Sequence, residues 1–342
     1  MLPRMDMTMT GFEAITRRLP AGYRAREFRD SDREPWVEDR NAERHELQRG
    51  SADEWRDWER LDPPDRLFRV AVETGDGRPA AGTDVGPGFV PRPDGSVHGS
   101  VGVMRAHRRK GLGSALLEVM EAEARKRKAP RILAGTESTQ EGALEWAQMR
   151  GYREIGRRIE SYVLVQTFDP SPFQDVVDRV NASGVTLRSL SEVLAGRDAA
   201  AAEAFWRDLY EADGPMWADV PWATPMPHMP WDTFHKMMVE SGRLLPDATI
   251  VALDGATIAG YTSSGKNGTD RGYTYMTGTG RDYRGRGIAM AMKVAMLAGA
   301  KRAGLHAMLT TNDEPNKAMR GINAKLGYVM LPAHIELEKK LS

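Results

Sequence analysis

The chain has 342 residues, 48 Lys+Arg against 48 Asp+Glu, 41% hydrophobic and 28% charged residues. That length suits two domains, each with its own core, and the balanced charge sets up no global field toward nucleic acid or a membrane surface. Cysteine is absent, which excludes disulfides and zinc–thiolate sites, and no apolar run reaches the ~18 residues of a membrane span. Residues 1–10 lack the apolar core of a signal peptide, so a cytoplasmic protein is expected.

In chain order, residues 23–28 read as a strand, followed by polar helices over 30–48 and 51–61. A strand over 68–73 turns at Gly75-Asp76-Gly77 into a return strand ending near Gly82, and another strand covers 96–103. Leu112, Ala115, Leu116, Val119 and Met120 then recur at i, i+3, i+4, i+7 and i+8, the stripe of an amphipathic helix. A strand over 162–165 is broken by Asp169-Pro170-Ser171-Pro172, and 174–181 reads as a linking helix. Beyond it the pattern repeats: a strand over 185–190, a helix over 197–212, and a hairpin of 249–253 with 257–264 through Asp254-Gly255. A strand over 273–279 precedes a helix striped by Ile288, Ala291, Met292, Ala295 and Met296, and 307–311 is a further strand. The expected domains are 1–168 and 183–342, joined by a linker over 169–182.

The repeat is also visible residue by residue. Arg108-Arg109-Lys110-Gly111-Leu112-Gly113 is echoed by Arg284-Gly285-Arg286-Gly287-Ile288-Ala289, with 284 − 108 = 176 and 287 − 111 = 176. Gly151-Tyr152 and Gly327-Tyr328 keep that offset, while Gly82 and Gly260 stand 178 apart, a two-residue indel upstream. One domain has been duplicated. Its shared signature places glycine and arginine at a helix N-terminus, where first-turn N–H groups lack partners and the helix dipole favours an anion. The glycine spacings of nucleotide P-loops and dinucleotide folds are missing.

The turn resembles the R/Q-x-x-G-x-G/A turn of the GNAT acyltransferases, and the likeness covers the chain as two copies. Later motif positions agree: 143–146 leading to Arg150-Gly151-Tyr152, and 316–319 leading to Leu326-Gly327-Tyr328. The chain thus resembles tandem GNAT proteins of the mycothiol synthase-like, actinobacterial kind. The resemblance implies an α/β fold of two GNAT domains, each a mixed, mostly antiparallel sheet flanked by helices, with a splayed strand pair that binds acyl-CoA. It assigns the pyrophosphate to Arg108, Arg109, Lys110, Gly111, Leu112, Gly113 and Ser114, and to Arg284, Gly285, Arg286, Gly287, Ile288 and Ala289. It assigns pantetheine to main-chain groups of Val101, Val103, Thr277 and Thr279, with the N–H of Thr279 polarising the thioester, and a further coenzyme contact to Asn316.

Where the family often has a tyrosine that protonates the leaving thiolate, this chain has Ala147 and Asn323. Asn323 can hydrogen-bond the sulfur; Ala147 can do nothing polar. Gln140 replaces the first copy's coenzyme-contacting asparagine. General-base candidates are Asp313, equivalent to Glu137, which can equally cap a helix before Pro315, and Tyr273, which shares a face with Tyr275 and can equally serve packing. Residues 213–231 hold Trp217, Trp222, Trp231 and five prolines, a loop that reads as a substrate wall or as interdomain packing. The seven histidines show no metal-ligand spacing, so no metal is expected, and Arg125-Lys126-Arg127-Lys128 suits a helix C-terminus better than nucleic acid. The expected protein is an acetyl-CoA-dependent N-acyltransferase of specialised metabolism or detoxification. It would be a monomer or homodimer whose C-terminal domain acts on a small-molecule amine in a ternary complex. A non-catalytic acyl-CoA-binding protein and a protein-amine acetyltransferase stand as alternatives.

Overall fold

The structure, a computed structural model, describes residues 9–61, 67–222 and 225–341. Most of the segment read for a signal peptide lies outside these residues. Two compact units divide the chain, one of them discontinuous: it runs to Arg157 and takes in the segment from Pro332, and the other is Arg158–Leu331.

In the N-terminal unit the order is α1 (Met9–Thr16), β1 (Tyr23–Arg26), α2 (Arg33–Asn41), α3 (Ala52–Leu61), β2 (Phe68–Thr74), β3 (Pro79–Gly86), β4 (Val97–Val103), α4 (Leu112–Lys126), β5 (Arg131–Glu137), α5 (Ala143–Gln148) and the start of β6 (Arg153–Leu164). The C-terminal unit continues β6 and adds α6 (Gln174–Ala182), β7 (Val185–Ser189), α7 (Leu190–Leu194), α8 (Ala199–Ala218), α9 (Trp231–His235), β8 (Ile250–Asp254), β9 (Thr257–Asn267), β10 (Arg271–Thr279), α10 (Ile288–Arg302), β11 (Ala307–Asp313), α11 (Lys317–Lys325) and β12 (Val329–Met330). The last strand, β13 (His334–Lys340), belongs to the N-terminal unit. Both sheets are antiparallel except where β4 meets β5 and β10 meets β11. This is the mixed, mostly antiparallel architecture expected.

The two units have exchanged their final strands. β13 pairs with β5 from His334↔Glu137 to Lys340↔Arg131, while residues 158–164 of β6 pair with β11 from Arg158↔Asp313 to Leu164↔Ala307. These segments are sequence equivalents, since 334 − 158 = 176, and their registers correspond pair for pair. An equivalent strand fits either sheet edge, so periodicity alone cannot say which edge it joins. The expected division at 168 therefore falls inside the C-terminal unit. Nor is α6 a bare connector, because its Val180 is buried in the C-terminal core and Val176 packs against it.

Each helix after the signature carries its unit's core. In α4 the buried positions include Leu112, Leu116, Val119 and Met120. Burial on α10 is broader than the five-residue stripe and includes Val294, Leu297 and Ala300. It also includes Lys293, which is 0% exposed at the position of Leu117 in the first copy. Its Nζ lies 5.0 Å from the centroid of the Tyr328 ring and has no hydrogen-bond partner among the described residues. Burial lowers the amine to about 7. The folded state then binds this proton more weakly than the unfolded chain, whose amine titrates near 10.5. The resulting destabilisation is present in full below pH 7 and fades as pH rises toward 10.5. Lys293→Met should raise Tm by roughly 5 °C or more at pH 6, and by less at pH 9, in thermal melts.

Candidate functional site

Both copies part a parallel strand pair at the same place. β4 pairs with β5 only through Val97↔Ile132 and His98↔Leu133, and β10 pairs with β11 only from Arg271 to Thr274. Past those points β4 and β10 keep their partners β3 and β9 but leave the other edge open. Met104 N donates to Ala80 O at 2.9 Å, and Gly280 N donates to Ala259 O at 2.9 Å. In an antiparallel ladder direction alternates, so the main-chain groups of Val101, Val103, Thr277 and Thr279 turn to the open edge. The hydroxyl of Thr279 is buried there without a hydrogen-bond partner among the described residues.

A turn and a helix N-terminus follow each open edge. Gly111 and Gly287, at φ of 88° and 84°, precede α4 and α10, and neither helix has a side-chain cap. Two residues earlier, Arg109 (φ 63°) and Gly285 (φ 77°) also adopt the left-handed conformation. Alternating left-handed residues turn successive N–H groups inward, an anion-binding nest. For Arg109 that conformation is unfavourable by about 1 kcal/mol, which glycine avoids in the second copy. Straps close both turns: Arg108 Nε donates to Val103 O (3.2 Å) and Arg284 Nε to Thr279 O (3.1 Å). Lys110 donates to Ala106 O and Arg286 to Asp282 O. Carboxylates orient the outer guanidinium ends, Glu43 for Arg108 and Asp219 for Arg281 and Arg284. Of the remaining cradle residues, Leu112 and Ile288 are buried, and the Ser114 hydroxyl accepts from Arg150 at 2.8 Å. Gly113 faces Trp146 and Val103, where its counterpart is Ala289.

The other candidates are spread over two faces of the C-terminal sheet. The Tyr273 hydroxyl donates to Thr311 Oγ1 at 2.5 Å, and burial, with Glu160 next, pushes the phenol up to about 12. At neutral pH it is an O–H donor and no base. Asp313 ends β11, is 5% exposed, stands opposite Arg158, and its carbonyl accepts from Asn316 N. Asn316 caps α11, its side chain accepting from Met319 N at 3.2 Å. Asn323 is 3% exposed; its Nδ2 donates to Asn312 Oδ1 at 2.7 Å, and its Oδ1 has no partner among the described residues.

The segment from 213 opens as helix where a loop was expected. α8 continues through Pro215 to Ala218, with Met216 packed where a side chain on Gly278 would stand. The Trp217 indole reaches Met226 O at 3.1 Å and anchors the chain beyond, of which residues 223 and 224 are outside the described ones. This fold-back brings Asp213, His228 and Tyr261 into one hydrogen-bonded chain, which the sequence did not reveal. Their spacing of 15 and 48 residues follows no motif, and the only hint was a histidine amid tryptophans and prolines.

The corresponding face of the N-terminal unit is occupied. Trp36 packs against Gly102, the counterpart of Gly278. Arg33 pairs with Asp30 and Glu59, Arg69 pairs with Glu59, and both guanidinium groups stack on Phe28 and Trp55. Glu137, the counterpart of Asp313, is held by Arg44 and by His334 of the exchanged strand. Burial would raise this carboxyl, but His334 and Arg44 outweigh it and hold it at about 2. Its stabilisation is present above the ordinary carboxyl range and is lost as pH falls toward 2. Glu137→Gln should cost roughly 2 kcal/mol in urea unfolding at pH 7, shrinking at pH 3, with acyl transfer unchanged.

The sequence matches the profile of the Acetyltransferase (GNAT) family twice, over residues 25–152 and 204–328. Among solved structures the fold is similar to a GCN5-related N-acetyltransferase from Sphaerobacter thermophilus, with 22% identity and a TM-score of 0.69, over 94% of this chain and 96% of that one. It is also similar to a tandem GNAT protein from the clavulanic acid biosynthesis pathway, with 18% identity and a TM-score of 0.68, over 93% and 98%. A search of curated proteins found no match. No helix among the described residues is long and apolar enough to cross a membrane. With both family matches falling on the two copies of the splayed edge and its nest, the chain belongs to the GNAT acetyltransferase family, as a tandem acyl-CoA-dependent N-acetyltransferase.

Proposed function

We propose that the protein transfers an acetyl or other acyl group from coenzyme A to the amine of a small molecule in the cytoplasm. Transfer takes place in the C-terminal unit, Arg158–Leu331, while the N-terminal unit, which runs to Arg157 and includes the segment from Pro332, holds acyl-CoA as a structural ligand. The observation that carries this reading is the contrast between the two faces. Over Gly102 the N-terminal unit sets Trp36 and self-paired ions, whereas over Gly278 the C-terminal unit sets Met216, with Tyr273, Tyr261 and the Trp217 region on the same face. Similarity to a protein of the clavulanic acid pathway accords with a small acceptor in specialised metabolism.

Acyl-CoA fits the residues present. Uncapped helix N-termini and left-handed turns offer N–H groups to a pyrophosphate, with Arg108, Arg109 and Lys110 or Arg284 and Arg286 around them. Open-edge groups of Val101 and Val103, or Thr277 and Thr279, are available to the extended arm in the manner of an added strand. Bound acyl-CoA supplies an activated thioester, open to direct attack by an amine without an enzyme-bound intermediate. The N–H of Thr279 is the donor placed for developing negative charge on the acyl oxygen. Asn323 commits its N–H to Asn312, so a polar contact to sulfur requires the amide to turn from that bond. Tyr273, protonated at neutral pH, is a phenolic donor on the sheet face. Holding both reactants on one preformed face supplies the orientational part of the rate.

Thiol release from acetyl-CoA, measured with a panel of small primary amines, tests the division of labour, and the cysteine-free chain adds no thiol background. Gly287→Glu places a carboxylate in the C-terminal nest and should lower turnover about 100-fold or more. Gly111→Glu should keep most of the rate and lower Tm. An active Gly287→Glu with a silent Gly111→Glu reverses the assignment.

A further inference from the structure

Asp213 lies on α8 and is 3% exposed, yet both of its carboxylate oxygens are engaged. Oδ1 accepts from the Tyr261 hydroxyl at 2.6 Å, and Oδ2 lies 2.9 Å from His228 Nε2. Tyr261 is fully buried, and burial together with Asp213 raises its phenol well above the ordinary value, so it remains the donor. A carboxylate at Nε2 selects the tautomer that carries its proton there and leaves the lone pair on Nδ1. Nδ1 makes no hydrogen bond among the described residues. The ring is 25% exposed at its side chain and stacks on Tyr210, with centroids 4.6 Å apart. Trp217 borders it, with Trp222 beyond. A buried acid, an oriented imidazole and an Nδ1 that lies toward Gly214 of α8 on a partly exposed ring form the base half of a proton-transfer relay.

Its position gives the relay a task. Tyr261 on β9 is the register partner of Gly278 on β10, between the two residues whose main-chain groups meet the open edge. Met216, one helical turn along α8 from Asp213, packs at Gly278. Tyr261, the inner end of the relay, therefore stands beside the splayed strand, with Asp213 and then His228 following it in the hydrogen-bonded chain. Among the described residues the N-terminal unit has no such chain: Thr83, the counterpart of Tyr261 at the upstream offset of 178, spends its hydroxyl on Ser100 O.

We propose that His228 is the general base of the C-terminal site, that Asp213 positions it, and that the acceptor is an ammonium on an aromatic or apolar body seated against Tyr210 and Trp217. This rests on the small-amine reading above. An ammonium cannot attack until it loses a proton. His228 Nδ1 takes that proton, the N–H electron pair stays on nitrogen as the nucleophilic lone pair, and the imidazolium returns its proton to solvent. The titratable groups facing His228 are Asp213 and Tyr210, with Tyr261 behind Asp213 and Glu211 next to Tyr210.

The test pairs 2-phenylethylamine, an ammonium at pH 7, with O-benzylhydroxylamine, similar in shape but already neutral. His228→Gln should lower kcat/KM for 2-phenylethylamine by about 10²–10⁴-fold and for O-benzylhydroxylamine by only a few fold. In His228→Gln the low-pH limb of the pH profile, where the base protonates, should disappear with the ammonium substrate only, and Asp213→Asn should shift that limb. Acetyl-CoA affinity and the thermal melt, read alongside, should match the unaltered protein in His228→Gln. Equal losses for the two amines, or no loss for either, would overturn this role alone. Turnover of neither amine by the unaltered protein that still binds acetyl-CoA would overturn the small-amine reading together with it.

Discussion

Backbone hydrogen bonding that stops partway along a parallel strand pair is the constraint on which the rest of this protein rests. β10 cannot remain paired with β11 beyond Thr274 and also present Thr277 and Thr279 to a ligand. Unpaired main-chain groups inside a protein are costly, so the open edge persists only because something else holds the strands apart and something can fill it. Antiparallel bonding to β9 holds one side, with a bulge between Thr274 and Met276 where β10 departs from β11. The arginine strap from the following turn fixes the strand's last carbonyl, so the edge and the anion nest are parts of one rigid corner.

Duplication preserved that corner in both copies and let the surroundings diverge. The strap, the left-handed pair and the uncapped helix recur 176 residues apart with nearly equal distances. On the acceptor face, Trp36 and the Arg33–Glu59–Arg69 cluster close the first copy, while the second has the Tyr261–Asp213–His228 chain. Exchange of the final strands adds to this. Glu137 meets His334 and is neutralised, whereas its counterpart Asp313 stands opposite Arg158. A cradle that keeps its anion chemistry without an open acceptor face suits a structural ligand.

The cradle was legible because it is local. Glycine at a left-handed position, arginine around it and an amphipathic stripe behind it all lie within a dozen residues, and the repeat fixed their phase. Strand exchange was not legible, since residues 158–164 and 334–340 are equivalents and no pattern distinguishes their partners. The end of α8 was misread because Pro215 signals a break, yet Met216 and Trp217 gain enough packing to carry the helix past it. Asp213 and His228 were invisible for a related reason. Their meeting depends on the fold-back anchored by Trp217, a tertiary event with no spacing rule. Tyr273 and Asn323 were placed on opposite faces only once the partners Thr311 and Asn312 were known.

Native mass spectrometry with acetyl-CoA tests the central claim most directly, because it counts occupied corners without needing an acceptor. Two bound acetyl-CoA molecules are expected, one exchanging readily and lost in Gly287→Glu, the other held through dilution and lost in Gly111→Glu. A single bound molecule that survives Gly287→Glu and disappears in Gly111→Glu would contradict the account, since the corner assigned to transfer would then hold no acyl-CoA.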